Sequence, residues 1–300
     1  PCEHSFPTRR SSDLQNILSS YITEVQNDKN KIVDIFKNEG AVIPIGFNEH
    51  DEMKESSTLY DDFFHISSLR EAMKLSLGRS AVYITTSYMK EVNDVFKLTY
   101  DISNKYYMIT TNYLLGKGVL SRSPYVTMPK QVTFIEDNNY MSGINPLSDK
   151  RSLNTIEVGF INEAIEANIW AMHLLTGFVQ VLKGEVKKYL TEGKELTKKI
   201  ISELSAVLLQ SDIQPPSTWA GKVTDSIQPP FSEKLMMYLN SLIATTALGT
   251  SFSMRKDLPL KLGIISKDIF KYSKKRSKIM IKYKWLEEPP QMEDRNQITK

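Results

Sequence analysis

Part of this chain is written twice, and the duplication constrains its fold more than its composition does. AVYITTSYMKEV from Ala81 aligns with ALGTSFSMRKDL from Ala247, so that Ser87 meets Ser253, Lys90 meets Lys256 and Val92 meets Leu258, all at an offset of 166. The same offset holds at the helix ends, where Leu120 meets Leu286 and Pro124 meets Pro290. Upstream, Pro44 meets Pro215 and Tyr60 meets Phe231 at an offset of 171, which makes the second copy about five residues shorter. Turn residues and apolar residues keep their order together, as expected of a duplicated supersecondary unit and not of shared composition.

Both copies read as helical. From Leu14 to Lys37 apolar residues recur three or four apart, and Gly40 supplies a left-handed stop. Ala41 to Leu59 is a long connector, expected to pack across a bundle end. Helices are predicted from Asp61 to about Met89 and then through Val92, Phe96, Ile102, Tyr106 and Tyr113 to Gly116. Pro124, Pro129, Gly143 and Pro146 mark a link that carries a short β-prone run, QVTFI. Asn154 with Glu157 three residues on is a capping-box signal opening a helix to about Leu182. Further helices are predicted from Val186 to Leu209, from a Ser232 cap to about Met254, and from Asp257, with Pro259 in its first turn, to about Tyr283.

The fold class that follows is all-α, as two tandem helical bundles. With 41% hydrophobic and 24% charged residues the 300-residue chain has an ordinary globular composition. A formal net charge of +3 does not point to a nucleic-acid partner. The longest apolar region, Ile169 to Leu182, falls short of the roughly 20 residues a membrane span needs. The sole cysteine, Cys2, excludes an intrachain disulfide framework and a multi-thiolate metal site.

Phe6 to Leu14, FPTRRSSDL, resembles the conceptual translation of a sequencing-library adapter, so residues 1–14 are expected to be foreign or disordered, and Cys2 and His4 carry no functional argument. The second unit begins with the helix opened by Asn154, whereas the first begins at its own second helix. The expected division is a first bundle over 15–125 with three helices, lacking its first and therefore the less stable; a linker over 126–150; a four-helix bundle over 151–291; and a tail over 292–300. No signal peptide is recognisable, and a cytoplasmic or spore-associated location is expected.

GAVIPIGF from Gly40, SPYVTMPKQVTFI from Ser123, SLNTIEVGFINEAIEANI from Ser152, VTDSIQPPFSEKLMM from Val223, SMRKDL from Ser253 and KWLEEPPQ from Lys284 carry a family resemblance. On these strings the chain, from about Leu14 to its C-terminus, resembles a family of uncharacterised tandem ferritin-like proteins of Bacillus-type spore formers, some described as spore coat proteins. The resemblance implies two ferritin-like four-helix bundles, the first without its first helix. It also implies a non-enzymatic structural or interaction role in sporulation, with an unidentified protein partner such as a coat protein, no nucleic acid and no integral membrane segment.

A ferritin-like fold raises the alternative of a di-metal oxidase or storage protein, which needs inward carboxylates and Glu-x-x-His pairs. The sequence has no Glu-x-x-His. It offers Asp62 with His65, whose counterparts in the second copy are Glu233 and Met236, and a set on one later helix, Glu163, Glu166 and His173. The resemblance implies a histidine in the second helix of each unit, and the matching positions here lie near Asp28 and Ile200. Neither a metal nor another cofactor is expected. A third alternative is a peripheral binder of anionic surfaces through a basic stripe of Lys271, Lys274, Lys275, Lys278 and Lys282, which otherwise reads as a solvated helix face. Trp170, Trp219 and Trp285 are expected in core and connector packing.

Overall fold

A computed structural model describes residues 12–54, 56, 58–120, 124–143, 150–217, 223–226, 228–241, 253–292 and 294. Among these residues the chain is all-helical. Its α-helices are α1 (Ser12–Asn38), α2 (Asp62–Thr86), α3 (Lys90–Gly116), α4 (Thr155–Val181), α5 (Gly184–Leu209), α6 (Glu233–Leu239) and α7 (Asp257–Lys282).

The helix starts follow from side chains that satisfy the first free backbone N–H groups. Asp61 accepts from the N–H of Phe64 to open α2, and Ser232 accepts from that of Leu235 to open α6. These caps occupy equivalent positions of the two copies, at the offset of 171. Asn154 and Glu157 form the expected reciprocal capping box on α4. Helix α1 begins two residues before the expected boundary, and Leu14 is buried against Ile66 and Leu114. Helix α6 is shorter than expected. It gives way after Leu239 to tighter winding at Asn240 and Ser241, Ser253 and Met254 are not helical, and the intervening 242–252 lie outside the described residues, as does Trp219.

Among the described residues four apolar clusters hold the helices together. Leu69, Met73, Ile102 and Tyr106 join α2 to α3 and receive Ile17, Leu18, Tyr21 and Val25 from α1. The cluster of Leu14, Ile66 and Leu114 closes the end of these three helices. Ile161, Ile165, Ile200, Leu204, Leu258 and Ile265 join α4, α5 and α7. The fourth cluster crosses between the copies: Leu59, Tyr60 and Phe64 of the first pack with Leu174, Leu175 and Phe178 of α4, Leu190 of α5, Met236 and Met237 of α6, and Met280 of α7. The long connector of the first copy therefore packs on the second bundle.

The two connectors also pair with each other. Glu52 bridges to Phe231 and Tyr60 bridges to Val223, both antiparallel. The offset of 171 carries Glu52 onto Val223 and Tyr60 onto Phe231, so each bridge is the image of the other. The hydrogen bonds repeat the relation: the N–H of Met53 donates to Pro230 O at 3.0 Å, and that of Thr224 to Leu59 O at 3.0 Å. Equivalent backbone groups exchanged in this way define a local pseudo-two-fold axis within one chain, the intramolecular counterpart of an isologous dimer contact.

Tyr60 is the pin of this contact. Its ring stacks on Phe64, its hydroxyl donates to Leu174 O at 2.6 Å, and it lies so close to α4 that a Cβ at Gly177 would stand 2.4 Å from that hydroxyl oxygen. Only glycine allows this approach. On the far side, the Glu287 carboxylate accepts from the N–H groups of Ile45 (2.9 Å) and Gly46 (2.6 Å). These backbone bonds hold its carboxyl below the usual range. KWLEEPPQ and GAVIPIGF, the outermost strings of the resemblance, thus touch.

Candidate functional site

Helices α2 and α4 cross antiparallel, and their shared face carries Glu163, Glu166 and His173 of the residues singled out above. At one end Tyr60 meets Leu174, and next Trp170 Nε1 donates to Ser68 Oγ at 2.9 Å. One turn further, Arg70 pairs with Glu71 at 2.9 Å and Glu166 at 3.1 Å. Lys74 pairs with Glu163 at 2.7 Å, Glu71 at 3.2 Å and Glu166 at 3.3 Å. Arg70 also bonds Thr111 through Nε and lies over the Tyr107 ring. Helical spacing explains the set: Glu163 and Glu166 are three apart on α4, Arg70 and Lys74 four apart on α2, so each pair shares a face.

Two cations here serve three carboxylates, and burial decides which carboxylate is least favoured. Desolvation raises the Glu71 carboxyl to about 6, against the pull of Lys74 and Arg70, with Glu166 adding repulsion. Burial also opposes the charge on Lys74, but Glu71, Glu166 and Glu163 outweigh it and raise its pKa. The sign for stability follows from linkage. A carboxyl raised in the folded state contributes stability that is complete below its unfolded pKa and lost as pH rises through about 6, roughly 2 kcal/mol in all. Relative to the wild type, Glu71→Gln, which keeps the neutral form at every pH, should therefore gain about 2 kcal/mol between about pH 4.5 and pH 7, added to a pH-independent cost of leaving Arg70 and Lys74 one counter-charge fewer. Urea melts at the two pH values check this; a difference between variant and wild type that stays constant with pH would contradict it.

The expected metal candidates are placed as follows. Glu163 and Glu166 come together, but on Arg70 and Lys74. His173 lies beside Glu166, Arg70 and Trp170 on the wall of a cavity of about 40 Å³, and burial lowers its pKa. Asp62 and His65 sit in the first turn of α2, half-buried, with the His65 ring edge-on to Tyr60. Among the described residues no three His, Cys, Asp or Glu side chains converge where an ion could be held. The donor set does not fit a di-metal centre, because Arg70 and Lys74 already engage Glu166, and the exposed Glu163 pairs with Lys74. Asp28 and Ile200 are both buried, Asp28 accepting from Thr99 Oγ1 at 2.6 Å.

The basic stripe is partly engaged. Lys275 pairs with Glu192 at 2.6 Å and Lys282 with Glu185 at 2.6 Å, both on α5. Lys271, Lys274 and Lys278 are exposed and make no ion pair among the described residues.

Two polar assemblies were not foreseen from the sequence. At the start of α4, Glu157 accepts from Arg151 at 2.7 and 2.8 Å, from Ser253 Oγ at 2.6 Å and from the N–H of Asn154 at 3.0 Å. Burial opposes the charge on Glu157, yet these bonds bring its carboxyl down to about 2. Beside it Arg255, only 1% exposed, bonds both oxygens of Asp257 and the carbonyl of Arg151. In the second bundle, Tyr189 and Tyr272 stack at 4.3 Å and Asn240 Nδ2 donates to both hydroxyls. They line a cavity of about 20 Å³ with Asn168 and Arg276, room for a water molecule. Tyr272 is admitted by Gly193, where a Cβ would stand 2.1 Å from its hydroxyl oxygen.

A family described as "Protein of unknown function (DUF3231)" matches residues 4–132 and 141–298. The chain belongs to that family. The two matched segments correspond to the two copies found by internal alignment, so the DUF3231 match and the paired connectors describe one duplication. No curated protein matches the chain, and no solved structure matches it. No helix among the described residues is long and apolar enough to cross a membrane.

Proposed function

We propose that this DUF3231 chain is a non-enzymatic structural or interaction component, of ferritin-like descent, that acts with a protein partner during sporulation, as part of or alongside the spore coat. The observation that carries the non-enzymatic reading is the engagement of Glu166 by both Arg70 and Lys74, with Lys74 also pairing the exposed Glu163. In a ferritin-like metal protein the corresponding carboxylates would face an ion. Here they face cations of the neighbouring repeat, which makes them a clamp between two bundles. The sporulation setting is supported by the sequence resemblance, and the basic stripe adds little, since Lys275 and Lys282 are bound to α5.

Metal analysis of the purified chain tests the first element. Iron and manganese should remain well below one ion per chain, and Glu166→Gln should lower stability by about 2 to 3 kcal/mol, because Arg70 and Lys74 lose a buried counter-charge. Stoichiometric metal that disappears in Glu166→Gln would establish the ferritin-type alternative instead. A fluorescent fusion followed through sporulation tests the setting: signal at the forespore supports it, and uniform signal confined to vegetative cells opposes it.

A further inference from the structure

The β-prone run in the link forms no strand: a bend falls at Lys130 and Gln131, and residues 132–137 take no regular structure. From Pro124 to Glu136 no backbone N–H or C=O makes a hydrogen bond among the described residues. Every residue from Tyr125 to Asn139 is exposed. Tyr125, Met128, Val132 and Phe134 stand out almost fully, Val132 at 82% and Phe134 at 84%. A stretch of β-branched and aromatic residues with open backbone groups is a template for strand addition, and soluble proteins protect such segments unless they are used.

The pattern of side chains selects the partner. Lys130, Val132, Phe134 and Glu136 alternate in the sequence, so pairing as a strand, which straightens the bend at Lys130 and Gln131, would set them on one face. We propose that this segment pairs antiparallel with the same segment of a second copy of the chain, about a two-fold axis at Thr133. In that register Lys130 of each copy faces Glu136 of the other, and Val132 faces Phe134. Both the ion pair and the apolar pair form twice, as an isologous contact requires. Centring on Phe134 instead would set Val132 against Glu136, and centring on Val132 would set Lys130 against Phe134. A basic residue at one end, an acidic residue at the other and apolar residues between are what self-pairing needs. Pro129, which has no N–H, ends the ladder on one side. Tyr125 and Met128, exposed just upstream, extend the apolar contact.

Sedimentation of the full chain from about 1 µM to about 1 mM tests the proposal. A concentration-dependent dimer is expected. Lys130→Glu and Glu136→Lys should each weaken it roughly tenfold, since either change sets like charges opposite one another at two symmetry-related places. The double exchange should restore wild-type association, and Phe134→Asp should abolish it. All these side chains are exposed, so thermal melts should match the wild type and show that the variants fold. A chain monomeric throughout the range would overturn the proposal. So would a dimer indifferent to Phe134→Asp, a double exchange no tighter than the single changes, or a segment that binds only a different protein.

Discussion

Arg255→Met should destabilise the second bundle by about 3 kcal/mol, lowering its melting temperature by roughly 6 °C or more. Methionine is the residue at the equivalent position of the first copy, Met89, where the side chain is half exposed. At position 255 the arginine is enclosed, and its guanidinium holds both Asp257 oxygens at 2.9 and 3.0 Å. Volume is nearly conserved by the change, so the loss comes from the Asp257 carboxylate, left with only the partly exposed Lys150. Breaking one member of a buried pair costs far more than removing both. Arg255→Met combined with Asp257→Leu should accordingly recover part of the loss. Acid acts on the same network. The Glu157 carboxyl is depressed to about 2, so its contribution is complete above the unfolded carboxylate range and disappears as pH falls through about 2, up to roughly 3 kcal/mol.

Tyr60→Ala should cost about 3 to 5 kcal/mol, and its distinctive effect should be to uncouple the copies. The ring belongs to the one cluster among the described residues that includes residues of both, and its hydroxyl bonds α4 directly. Without it, Leu59 and Phe64 border a cavity against Phe178 and Met236, and the paired connectors lose their support. Calorimetry of the wild type should show the copies melting together, and Tyr60→Ala should split the transition in two. Tyr60→Phe should cost only about 1 kcal/mol, the net worth of one hydrogen bond, and leave a single transition.

Local signals in the sequence anticipated local structure well. The Asn154 and Glu157 spacing fixed the start of α4, Ser232 that of α6, and apolar periodicity the course of α1, α3 and α7, because each depends on residues within one or two turns. The duplication carried further: the offset of 171 relates the two connector bridges, although nothing in it says that equivalent segments touch. What was not legible depends on partners far along the chain. Arginine is seldom fully buried, and the position of Arg255 follows from a carbonyl at Arg151 and a turn leading into α7. Glu163 and Glu166 look alike whether they face an ion or Lys74, and only the α2–α4 crossing decides. QVTFI forms no strand and begins in a bend at Lys130 and Gln131, because strand propensity expresses a fit to a neighbouring strand, and one copy of the chain supplies none.

Hydrogen exchange at two amides, Met53 and Thr224, bears most directly on the pairing of the repeats. Each donates at 3.0 Å to a carbonyl of the opposite connector, Pro230 and Leu59. If the repeats are related by the pseudo-two-fold, the two amides should show protection within about tenfold of each other and lose it together in Tyr60→Ala. Protection of one amide with free exchange of the other, or loss at only one of them in Tyr60→Ala, would contradict that relation.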